Sequence, residues 1–139
     1  LIQYAVGKET DLFEIPATVT EIGDYAMVYA MKTNTVRIAE NVSAVGSSVW
    51  TSYYEYKYGE DGYGYYEYYG VKNFMIDSQA FLNLFTSSAP TDMGEATEAF
   101  YVKQGLAIPA SATYFTEELV KTDSDKEGYE KYVFKSEEN

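Results

Sequence analysis

The reactive side chains of this 139-residue chain are an uneven set: 16 tyrosines and 22 carboxylates, one arginine (Arg37), no histidine and no cysteine. Without histidine the commonest general base and the commonest transition-metal ligand are missing. Without cysteine as well, the usual zinc sites and the Ser-His-Asp and Cys-His arrangements have no parts, and no disulfide can form. Carboxylate chemistry remains. Glycoside hydrolysis needs two acids ~5–10 Å apart across the sugar. Among 22 acids such pairs arise by chance, and none stands in a recognisable motif. No catalytic residue is therefore assigned, no cofactor is expected, and the chain is read as not an enzyme.

Two motifs invite a ligand and are set aside. Asp123-Ser124-Asp125-Lys126-Glu127-Gly128 matches the opening of an EF-hand calcium loop. That loop needs a bidentate Glu at its twelfth position, and counting from Asp123 the twelfth residue is Phe134. Its flanks also alternate like strands, so an acidic turn is expected and no metal site. Asn41-Val42-Ser43 is a glycosylation acceptor pattern, which matters only in a eukaryotic secretory host.

The tyrosines carry the main candidate. Nine of the 16 fall within residues 53–70. Tyr54, Tyr56 and Tyr58 alternate with Glu55 and Lys57, a strand pattern. Asp61-Gly62 is a hairpin-turn signal. The spacing predicts a β-hairpin, with either a two-residue or a four-residue loop. Its rings could simply cover one another, each cross-strand aromatic pair contributing roughly 0.2–1 kcal/mol. They could also form a contact surface, since tyrosine offers large area at small entropy cost. Nine tyrosines exceed what packing one hairpin requires. The candidate ligand-binding residues are thus Tyr54, Tyr56, Tyr58, Tyr63, Tyr65, Tyr66, Tyr68 and Tyr69.

Charge narrows the partners. The net charge of −12 repels phosphate, so nucleic acid is not expected. One arginine and scattered lysines give no basic cluster for an anionic membrane. No apolar run approaches the ~20 residues a membrane-spanning helix needs.

Two stretches of equal length, 13–35 and 36–58, must position these residues. At an offset of 23, Phe13 falls on Val36, Ile15 on Ile38, Val19 on Val42 and Ile22 on Val45. Gly23 falls on Gly46, Ala26 on Val49 and Met27 on Trp50. A fixed period of this size marks stacked units that cannot bury their apolar sides alone. The glycines sit where a Cβ would strike the next unit. Ile15-Pro16-Ala17-Thr18-Val19-Thr20-Glu21-Ile22-Gly23-Asp24-Tyr25-Ala26-Met27 resembles the unit of the BspA-type leucine-rich repeats, Ile-Pro-x-x-Val-x-x-Ile-Gly-x-x-Ala-Phe. The second copy, from Ile38 to Trp50, departs from it at Ala39 and Trp50, and Ala30 and Tyr53 stand where the family often has Cys. The resemblance covers residues 12–53. It implies a β-rich solenoid, a bacterial cell-surface or extracellular location, and adhesion to a protein or glycan without catalytic residues.

The expected architecture is one domain over 1–139: a short leucine-rich-repeat stack with units at 13–35 and 36–58, degenerate units at 71–85 and 100–116, the hairpin inserted at 53–70 and a C-terminal cap at 117–139. A strand is read at 1–6, a turn at 7–11, a long loop at 86–98 and extended chain at 117–121. Leu1 falls inside a repeat, which suggests a C-terminal fragment of a longer chain. The expected function is a non-enzymatic surface module that binds a protein or glycan. The alternative is a structural, self-associating surface component that uses the tyrosine hairpin.

Overall fold

The computed structural model describes residues 10–26, 33–50, 53–91, 93 and 96–135. The expected strand at 1–6, residues 7–9 of the expected turn, Met27, Ala30 and the tail at 136–139 lie outside the described residues. Thr10 and Asp11, placed in that turn, belong to the first strand.

The strands are β1 (Thr10–Glu14), β2 (Glu21–Ile22), β3 (Thr33–Ile38), β4 (Ala44–Val45), β5 (Tyr53–Tyr58), β6 (Gly64–Tyr69), β7 (Asn73–Ile76), β8 (Ala99–Lys103), β9 (Leu119–Thr122) and β10 (Tyr129–Phe134). Two helical turns join them, α1 (Gln79–Leu82) and α2 (Tyr114–Glu117). The main sheet has the order β1-β3-β7-β8-β10-β9. β1, β3, β7 and β8 run parallel, while β10 pairs antiparallel with both β8 and β9. β2 and β4 form a small parallel sheet, and β5 and β6 form a separate antiparallel ribbon.

This architecture corrects the expected solenoid: the chain is a small mixed-sheet domain, with three separate sheets among the described residues. The 23-residue offset is the register of β1 on β3, where Phe13 lies beside Val36. It does not propagate. Val36 lies beside Phe74 and Phe74 beside Phe100, at unequal offsets. Strand direction then reverses. Gly128, at φ 84, belongs to the turn that brings β10 back along β9 and β8. β10 and β9, from the stretch expected to cap the stack, continue the main sheet beyond β8. Residue 117, expected to be extended, ends a helical turn instead, and the strand begins at Leu119.

One core lies behind the main sheet. Val36, Ile38, Phe74, Ile76 and Phe100 point into it from the strands and are fully buried. Ile22, Val42, Val49, Trp50, Phe81, Phe85 and Phe115 join it from outside the main sheet. Phe74 stacks on Phe100 with centroids 5.9 Å apart, and the Trp50 ring meets Phe74 edge-on at 4.8 Å. Rings of this size fill a wide layer that short aliphatic side chains would leave void.

The two 23-residue units clasp each other by backbone. Gly46 N–H donates to Ile22 C=O at 2.8 Å and Tyr25 N–H to Ser47 C=O at 3.0 Å. Ser47 N–H donates to Asp24 Oδ1 at 2.7 Å. A Cβ on Gly46 would stand 2.6 Å from Asp24 N and 2.9 Å from its Cα, so the close approach demands glycine. Tyr25 and Ser48, again 23 apart, both adopt positive φ (59° and 51°). Each holds a strained bend of roughly 1–2 kcal/mol, which turns Ala26 and Val49 into the core.

Candidate functional site: a tyrosine-faced ribbon

β5 and β6 pair residue for residue from Tyr53↔Tyr69 to Tyr58↔Gly64. Beyond Tyr58, Gly59 N–H donates to Tyr63 C=O at 2.9 Å, and Gly62 N–H to Gly59 C=O at 3.0 Å. Three residues, Glu60, Asp61 and Gly62, therefore span the loop, where two or four were expected. Gly62 supplies the left-handed residue (φ 85) that such a loop needs. Asp61 Oδ1 accepts from Tyr63 N–H at 3.0 Å and fixes the turn. The two strands pack chiefly on each other.

Alternation gives the ribbon two unlike faces. One carries Tyr54, Tyr56, Tyr58 and Tyr66, with position 68 paired opposite Tyr54; the side chain of Tyr68 lies outside the described residues. Tyr54, Tyr56, Tyr58 and Tyr66 are 59%, 53%, 73% and 57% exposed. Their rings meet edge-to-face: Tyr56 with Tyr66 at 5.0 Å, Tyr54 with Tyr66 at 5.5 Å and Tyr56 with Tyr58 at 5.3 Å. The Tyr56 phenol lies over Gly64, where a Cβ would collide with it. The other face is charged and half-buried. Lys57 Nζ sits 2.6 Å from Glu67 Oε2, 3.9 Å from Glu55 Oε2 and 5.4 Å from the Tyr69 ring centroid. Glu67's hydrogen bond holds the Lys57 ammonium protonated well above the usual lysine range, and Lys57 in turn lowers the Glu67 carboxyl. Thus the eight candidate tyrosines do not form one surface. Tyr54, Tyr56, Tyr58 and Tyr66 share a face, Tyr65 and Tyr69 alternate onto the charged one, and Tyr63 stands at the loop, highly exposed.

A second polar constellation crosses the outer face of the main sheet, at the ends of β1, β3 and β7. Asp77, 7% exposed, accepts at Oδ2 from Arg37 Nε at 2.8 Å and meets Arg37 Nη2 at the same distance. Its Oδ1 accepts from Tyr129 O–H at 2.6 Å, and Glu14 lies 3.6 Å from Arg37 Nη1. Burial, then the bond to Asp77, pushes the Tyr129 phenol up to about 12. Asp77's hydrogen bond also raises the Arg37 guanidinium. The cluster borders a cleft of about 370 Å³ that Glu40 and Lys103 also line. The sequence signal for it was the solitary arginine, which composition alone does not pair.

The acidic turn between β9 and β10 is tied to the strands beside it, β8 and β10. Asp125 Oδ1 accepts from Tyr101 O–H at 2.6 Å and lies 3.8 Å from Lys131 Nζ. The Tyr101 bond holds the Asp125 carboxyl below its ordinary range, while burial and Asp125 raise the Tyr101 phenol to about 12. Among the described residues no three acids converge in a way that could hold a metal ion. Asn41 Nδ2, the atom a glycan would take, donates to Ala17 C=O at 2.8 Å. Among the described residues no helix is long and apolar enough to cross a membrane.

No family model matches the chain, and neither a curated protein nor a solved structure matches it.

Proposed function

We propose that this chain is a non-enzymatic binding module of the bacterial cell surface or extracellular space, and that it captures a protein or glycan ligand on its tyrosine ribbon. The observation that carries the reading is the uncharged face of Tyr54, Tyr56, Tyr58 and Tyr66, each ring more than half open to water. Exposed aromatic patches of this kind mark contact sites in soluble proteins, and tyrosine is enriched where binding energy concentrates. The location rests on the resemblance of residues 12–53 to BspA-type units. The second reading, self-association in a surface layer, is favoured by the same face, since an uncharged ring cluster can pack on its own copy.

The test is capture on arrays of glycans and extracellular proteins, comparing the intact chain with one in which Tyr54, Tyr56, Tyr58 and Tyr66 are all alanine. Saturable capture that disappears in the variant supports the module. Capture that survives the substitution places the active surface elsewhere. Association that rises with the chain's own concentration, and is lost in the variant, selects the second reading.

A further inference from the structure

We infer that the ribbon carries an oxidative cross-linking site, at which hydrogen peroxide and a haem peroxidase join the phenol rings of Tyr56 and Tyr66 carbon to carbon. The link forms whether or not the ribbon captures a ligand. Tyr56 and Tyr66 lie directly opposite each other on β5 and β6. The bond from Gly59 N–H to Tyr63 C=O fixes the alternation of the ladder. Counting back from it, Tyr56 and Tyr66 are a non-hydrogen-bonded pair, the kind whose side chains approach more closely. Their ring centroids are 5.0 Å apart at an interplanar angle of 71°. Gly64 leaves the space that the Tyr56 phenol occupies over β6. Both rings are more than half open to water, so an oxidant reaches them. Exposed side chains also change rotamer in picoseconds to nanoseconds, which lets the two ring edges meet. The buried tyrosines are placed differently. Tyr114 lies against Phe85, Phe100 and Phe115, and Tyr132 lies against Phe115. Phenylalanine has no phenolic hydrogen to give up.

Each phenol gives one electron and its hydroxyl proton to the peroxidase, leaving a phenoxyl radical whose spin extends to the carbons beside the oxygen-bearing one. The two radicals pair, and a bond forms between one such carbon on each ring. Each bonded carbon then releases its hydrogen as a proton, and each oxygen takes one back. Two phenols and one hydrogen peroxide thus become one biphenol and two waters. The product suits this ribbon. The chain has no cysteine, so no disulfide can staple its strands. β5 and β6 pack chiefly on each other, and an isolated two-stranded ribbon is only marginally stable in water. A bond between positions 56 and 66 holds the loop end closed when the ladder frays.

The test treats the dilute intact chain with a haem peroxidase and limiting hydrogen peroxide, then digests it with trypsin. Cleavage after Arg37, Lys57 and Lys72 places Tyr56 in peptide 38–57 and Tyr66 in peptide 58–72. The expected product is a single chain lighter by two hydrogen atoms, with these two peptides joined and the fluorescence of a biphenol. Tyr56→Phe and Tyr66→Phe keep the rings and the fold but should each lose the joined peptide. Tyr58→Phe should retain it, although the Tyr58 ring also lies 5.3 Å from Tyr56. Oxidation of the chain unfolded in urea should give far less of the link, because the pairing of β5 with β6 is then gone. A joined peptide that persists in Tyr56→Phe overturns the assignment, since Tyr54 at 5.5 Å from Tyr66 is then the partner. Equal yield in urea overturns the role of the fold. Linked chain dimers in place of the internal link, or no link at all, overturn the site.

Discussion

Removing the carboxylate of Asp77 should be among the costliest polar substitutions in the protein. Asp77→Ala deletes the 2.8 Å contacts to Arg37 Nε and Nη2 and the 2.6 Å bond from Tyr129. The Asp77 side chain is only 6% exposed, so water cannot take its place without opening the sheet face. Hydrogen bonds to a charged group contribute about 1.5–3 kcal/mol each, and breaking a buried ion pair costs about 3–5 kcal/mol. Arg37 is 37% exposed and recovers part of its hydration, and Glu14 at 3.6 Å is a weak substitute. The expected loss is therefore about 2–3 kcal/mol, or about 8–12 °C in melting temperature for a chain of this size. Asp77→Asn keeps an acceptor for Tyr129 and should lose about half as much. Urea unfolding of the single and double variants with Arg37→Met gives the coupling energy, expected near 1.5 kcal/mol. An Asp77→Ala protein within about 0.5 kcal/mol of the parent would refute the view that this cluster ties β1, β3 and β10 together.

Gly46→Ala should destabilise by about 1–3 kcal/mol, because its Cβ meets the Asp24 backbone; Gly62→Ala, with open space but φ +85, should cost only about 1 kcal/mol, and equal unfolding midpoints would contradict the clasp. The Tyr101, Tyr114 and Tyr129 phenols are raised to about 12 in the folded chain, above an ordinary tyrosine near ~10. Their contribution is therefore intact below pH ~10 and lost as pH rises toward ~12. Denaturant midpoints should fall across that window, and a flat profile would contradict the burial. Millimolar calcium should leave the melting temperature unchanged, since Asp125 is engaged by Tyr101 and Phe134 occupies the position of the far ligand. A cation at a hundred times its Kd would add about 2.7 kcal/mol, an upward shift of several degrees.

Local pattern made part of this molecule legible. The offset that places Phe13 on Val36 is their pairing in the sheet, because a parallel strand needs its apolar partner at the same height. Gly46 was readable as a close approach for the same reason. Alternation of Tyr54, Tyr56 and Tyr58 with Glu55 and Lys57 located the ribbon. The solenoid did not follow. The alternating C-terminal residues 129–134 fit a parallel or an antiparallel neighbour equally well, and only the return at Gly128 decides. Helical turns such as Tyr114–Glu117 are too short for helical periodicity to register. The Arg37–Asp77–Tyr129 cluster spans separations of 40 and 52 residues, and no local spacing encodes it. The division of the ribbon tyrosines between two faces depended on the loop length, which the run of Gly, Glu and Asp left open.

The most direct test replaces residues 54–69 with a short Gly-Ser linker and measures urea unfolding and ligand capture on the same protein. Trp50 and Val71, which flank the ribbon, are buried in the core and stay in place. Closing a surface loop depends only weakly on its length, so the unfolding free energy should stay within about 1 kcal/mol of the parent while capture is abolished. A shortened chain that unfolds, or one that folds and still captures ligand, would contradict the ribbon as a separable contact surface.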